Sequence, residues 1–99
     1  MTKQQVDRIR KEYGDEYLYR QLAEECMELG HAALKLIRAK KRETPMPVQD
    51  AQQALIEEIA DVRVMLFVLE KMLDTDGRVR LIEQTAAKDR RMTERLLGE

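Results

Sequence analysis

An all-α fold, a four-helix core within a single domain covering residues 1–99, is what this sequence predicts, and three observations predict it. The chain of 99 residues contains four glycines and two prolines, too little turn chemistry for many short strands. Ala, Leu, Glu, Lys, Arg and Met, all strong helix formers, dominate its composition. Its apolar residues recur at helical spacing in four runs separated by short breaks. Hydrophobic residues are 43% of the chain and aromatic residues 4%, so aliphatic side chains and Met must fill one core, and two cores will not fit.

The first helix is expected over about Lys3 to Tyr13, with Val6, Ile9 and Tyr13 on one side and Gly14-Asp15 stopping it. The second runs from about Glu16 to Lys41. Its Leu18, Leu22, Leu29, Ala33, Leu36 and Ile37 fall in one stripe at the 3.6-residue period. The segment Arg42 to Asp50 holds both prolines, Pro45 and Pro47, and is the clearest loop. The third helix runs from about Ala51 to Leu73, with Leu55, Ile59, Val62, Leu66, Leu69 and Leu73 in its stripe. Met65, Val68 and Met72 widen that stripe, and Val64 and Phe67 add apolar groups elsewhere. The cluster Asp74-Thr75-Asp76-Gly77 reads as a turn. Thr75 or Asp76 would cap a fourth helix from about Arg78 to Leu97. A third helix so broadly apolar needs cover on more than one side. In so short a chain the second cover is expected to be another subunit, so an oligomer is expected, with the third helix central to it.

Charge and cysteine content exclude several classes. Eighteen basic and 19 acidic residues leave a net charge of −1, which argues against a nucleic-acid or membrane-binding surface. A single cysteine, Cys26, builds no disulfide framework. The first residues have no apolar h-region, and the longest apolar stretch, Val62 to Leu69, is interrupted by Arg63 and far short of the roughly 20 residues a membrane span needs. A cytoplasmic location is the expectation.

Against this background five carboxylates stand out. Glu25 lies within roughly 20° of the centre of the second helix's apolar stripe, with Glu28 on its flank and Glu24 just beyond. Glu58 and Asp61 lie on the flank of the third helix that continues into Met65. Each pair, Glu25/Glu28 and Glu58/Asp61, is spaced i, i+3, which sets the Cβ atoms about 5–6 Å apart on one face. Such pairs are often no more than a solvated surface, but on apolar flanks they repel and lose hydration. Two pairs on antiparallel helices would gather four carboxylates, and a divalent cation with hard oxygen ligands, Mg²⁺, would make that favourable. One His and one Cys cannot build a zinc site. Glu28 with His31 forms a Glu-x-x-His of the di-iron kind, but it occurs once and His31 points away from the stripe, so His31 reads as a surface or interface residue.

The second helix reads Gln21-Leu-Ala-Glu24-Glu25-Cys26-Met-Glu28-Leu29-Gly-His31, and the third Ile56-Glu57-Glu58-Ile59-Ala60-Asp61-Val62. An EExxE followed by an ExxD resembles the all-α nucleoside triphosphate pyrophosphohydrolases, most of all their small MazG-like branch. The likeness spans both central helices, about half the chain. It implies a four-helix core assembled as a homodimer or homotetramer. It implies Mg²⁺, with Mn²⁺ as a substitute, held by Glu25, Glu28, Glu58 and Asp61, with Glu24 at a second metal or as an outer support. It also implies cleavage of an NTP or dNTP to the monophosphate and pyrophosphate. In the fourth helix Lys88 and Arg91 match a basic pair that faces the substrate phosphates in the family, although an ordinary charged helix face reads the same way; Lys35 and Arg38 are further candidates.

As a mechanism this implies a metal-activated water whose proton passes to Glu24 or Glu25. No Ser/His/Asp or Cys/His arrangement and no Gly-rich phosphate loop is visible. The rings available to a base are Tyr13, Tyr17, Tyr19 and Phe67, each equally explained as core or interface. Two alternatives stand beside the enzyme. One is a non-catalytic helical interaction module whose acids pair with Arg20, Arg63, Arg91 or Arg95 across an interface. The other is a degenerate family member that binds nucleotides without turning them over.

Overall fold

The computed structural model describes residues 1–99 as four α-helices and no strand: α1 Lys3–Tyr13, α2 Asp15–Lys40, α3 Val48–Met72 and α4 Thr75–Leu97. Thr2 opens α1 with a reciprocal cap: its side chain accepts from the Gln5 amide while Gln5 accepts from the Thr2 amide. Gly14 closes α1 at φ 87°, ψ 159°, a conformation essentially reserved for glycine. Across that corner Arg10 donates to both Asp15 carboxylate oxygens, at 2.8 and 3.1 Å. This pairing lowers the Asp15 pKa and raises that of Arg10, through the hydrogen bond first.

Helices α2 and α3 form a long antiparallel pair that carries most of the tertiary packing, with α1 laid against both. The core is small. Val6, Leu18 and Val68 are buried together, with Ile9, Met65, Leu69 and Met72 packed on them. Along the rest of the α2–α3 pair the buried residues are Ala32, Ala39, Ala51 and Val62, small side chains that let two helices approach.

Three details differ from the sequence reading. α3 begins at Val48, so Val48 to Asp50 are its first turn and not loop. Pro47, at φ −60°, stands at the N-cap with its angle preset for helix entry, and its carbonyl accepts from the amides of Asp50 and Ala51. α4 begins at Thr75, capped by Asp74 and not by Thr75 or Asp76, because the Asp74 carboxylate reaches the Gly77 amide at 2.6 Å. The packed faces match the expected stripes in part. Leu18 and Val62 are buried and Leu22, Leu29, Leu36, Leu55 and Leu69 half-buried as expected, but Ala32, Ala39 and Val68 carry the seam while Ile37, Ile59, Leu66 and Leu73 are exposed.

The largest departure is α4. It buries no residue and packs on none of the other helices to the extent that they pack on each other. Three helices therefore make the core of the chain, and the fourth projects. The radius of gyration is 17.1 Å, against about 13 Å for a compact chain of this length. No helix is long and apolar enough to cross a membrane.

Candidate metal centre

The register of the α2–α3 pair decides which side chains meet. Glu25 and Glu28 follow one another along α2, and Glu58 and Asp61 run back along α3, so Glu25 comes level with Asp61 and Glu28 with Glu58. One carboxylate oxygen from each of the four lies within 4.8 Å of the others. Glu25 and Glu58 are half-buried; Glu28 and Asp61 reach solvent. The Oε2 atoms of Glu25 and of Glu58 are buried with no hydrogen-bond partner.

This arrangement is unfavourable by itself. Burial pushes the Glu25 carboxyl above the ordinary glutamate range, and the charges of Asp61, Glu28 and Glu58 push it further. Burial does the same to Glu58, followed by Glu28 and Asp61. None of the chain's four ion pairs reaches any of these carboxylates; the nearest basic candidate on α2, Arg20, pairs with Glu16. The donor set is all oxygen, anionic and convergent, which is the chemistry of a hard divalent cation. Around Mg²⁺, opposed ligand oxygens stand about 4.2 Å apart. Side-chain adjustment of less than an ångström closes the observed separation, and the two orphaned oxygens fit an ion as their missing partner.

The other expected site residues lie elsewhere. Glu24 is exposed, one position from Glu25 and outside the cluster; His31 and Cys26 are exposed and outside it too. Lys35 and Arg38 are exposed further along α2. Lys88 and Arg91 line a shallow cleft with Met92 and Arg95, all on α4, and none of the four clustered carboxylates borders it. Of the rings, Tyr13 and Tyr17 stack at 5.1 Å, while Tyr19 and Phe67 line an apolar cleft of about 640 Å³ between α3 and the start of α4. Arg10 and Arg63 border the same cleft. Sequence reasoning missed Arg10, whose only signal is its position beside the apolar side of α1.

No protein-family model, curated protein or solved structure matches this chain.

Proposed function

We propose that this chain is a MazG-like, Mg²⁺-dependent nucleoside triphosphate pyrophosphohydrolase, converting an NTP or dNTP to the monophosphate and pyrophosphate and acting as a homodimer or homotetramer. One observation carries the proposal: Glu25, Glu28, Glu58 and Asp61 converge from the EExxE and ExxD segments, with two buried oxygens lacking any protein partner.

In this reading Glu25, Glu28, Glu58 and Asp61 would hold Mg²⁺, or Mn²⁺ in its place, which would supply positive charge near the phosphate oxygens and favour ionisation of the attacking water. The water oxygen bonds to the α-phosphorus, the bond from that phosphorus to the α–β bridging oxygen breaks, and pyrophosphate leaves. Glu24, exposed beside the cluster, or Glu25 accepts the water's proton. Lys88 and Arg91 counter the charge growing on the pyrophosphate. Within one chain α4 packs on neither α2 nor α3 as those two pack on each other, so that role requires an assembly that brings an α4 to the carboxylates.

The test is product analysis on a panel of NTPs and dNTPs with Mg²⁺, with Mn²⁺ and with EDTA. Metal-dependent release of pyrophosphate and monophosphate is expected. Orthophosphate would mean a different hydrolase. No product from any nucleotide, together with no metal binding by titration, would favour the interaction module; metal binding without turnover would favour the degenerate member.

A further inference from the structure

Away from the carboxylates, the molecule's main unsatisfied surface is the open angle between α3 and α4. On the side of α3 turned from α2, Ile56, Ile59, Leu66 and Phe67 are between 43% and 58% exposed. On α4, Leu81 lines the angle and Ile82 and Met92 extend its apolar wall. Clefts of about 640 and 680 Å³ occupy the angle and share Glu70, Leu81 and Thr85. The accessible surface is 8021 Å². A compact monomer of this mass exposes about 5,800 Å². The excess of roughly 2,200 Å² matches what one subunit gives up in an obligate dimer, about 1,000–2,500 Å².

Three charged residues line the first cleft; Arg10 is already paired with Asp15, which leaves Arg63 and Glu70. Arg63 and Glu70 border the same cleft, one on each side of the Leu66-Phe67 step. They are seven residues apart, two helical turns, and so lie on one line along α3. Neither has an ion-pair partner in the chain. Arg63 only rests over the Phe67 ring, 5.9 Å from its centre.

We infer that this angle is filled by the same angle of a second copy, α3 crossing its counterpart antiparallel about a two-fold axis between Leu66 and Phe67. Residues equidistant from such an axis meet. Arg63 then faces Glu70 of the partner subunit, Glu70 faces the partner's Arg63, and Leu66 meets the partner's Phe67. A symmetric contact needs a surface complementary to itself, and these two charges are complementary only in this antiparallel sense. A parallel crossing sets Arg63 against the partner's Arg63. The α4 helices, with no core of their own to join, close over the crossing. This interface rests on the assembly proposed above but needs none of its chemistry.

The experiment is light scattering and sedimentation of the full chain, with Arg63→Glu, Glu70→Arg and the double exchange, helicity being followed by circular dichroism. The parent is expected at twice the 11.6 kDa chain mass or a higher even multiple. Each single reversal is expected to raise the dissociation constant at least about tenfold, and the double exchange to restore it. Arg63 is exposed and Glu70 half-buried at the rim of the cleft, and neither belongs to the buried core, so the fold is expected to be retained. A monomeric parent would overturn the assembly and the interface together. An assembled parent with all three variants unchanged would overturn this interface alone. Single variants weakened without rescue in the double would overturn the antiparallel pairing. A monomer that binds a peptide helix of another protein in this angle would overturn the second copy as occupant. Metal-dependent hydrolysis is read separately: its absence in an assembled parent would overturn the enzyme reading and leave this interface standing.

Discussion

Glu25 and Glu58 are each half-buried, each carry an oxygen without a partner, and each are held above their ordinary pKa. Replacing both by Gln removes two like charges and keeps the side-chain shape. We expect Glu25→Gln with Glu58→Gln to melt higher than the parent in EDTA, and to lose metal-dependent hydrolysis by roughly a hundredfold or more. Parental activity in that variant would end the enzyme reading. The same shifts set a pH dependence. A carboxyl whose pKa is raised by folding binds its proton more readily folded than unfolded, so its contribution grows as pH falls and is lost as pH rises through the raised value. The metal-free chain should therefore melt higher near pH 5 than near pH 7.5. Asp15 works with the opposite sign. Its pKa is lowered by Arg10, so its contribution is present at neutral pH and is lost only below the ordinary aspartate range. Thermal melts in EDTA across this range check both limbs, and a flat profile between neutrality and pH 5 would contradict the first.

Among the helices, the corner at Gly14 and the cap at Asp74 are the two places where one residue type sets the geometry. Gly14→Ala forces a side chain into a φ near 87° and should destabilise the chain by about 1–3 kcal/mol, read by denaturant melts. Asp74→Ala leaves the Gly77 amide without its side-chain partner and should cost about 1 kcal/mol of helix stability. Because α4 adds no buried residue to the core of the chain, that loss should appear as fraying of α4 in amide exchange before it appears in the melting of the core. All four helices were legible from apolar spacing, and so were the four carboxylates, since their position on apolar flanks is a property of the helix period alone. The starts of α3 and α4 were misplaced because Pro47 and Asp74 act through local hydrogen bonds that periodicity does not register. The choice of Ala32 and Ala39 over Ile37 for the seam was not legible either, because close approach favours small residues while a hydrophobic stripe points to large ones.

At the scale of the whole molecule, the destination of α4 was not legible, because no surface of its own chain receives it. The breadth of α3 led to an expectation of further cover, and in the single chain Ile59, Leu66 and Leu73 stay exposed. If a second copy supplies the cover, stability is shared between subunits. The thermal midpoint of the full chain should then rise with protein concentration, while a midpoint independent of concentration would mark a self-sufficient protomer. The hairpin loop at residues 41–47 has a separate consequence. It begins thirteen residues past Glu28, about 20 Å along α2 from the carboxylate cluster. Helix register, and not the length of this connection, aligns Glu25 with Asp61. The loop is thus a permissive position: a fluorophore, an affinity tag or a longer natural insertion can be accepted there while the four oxygens keep their places.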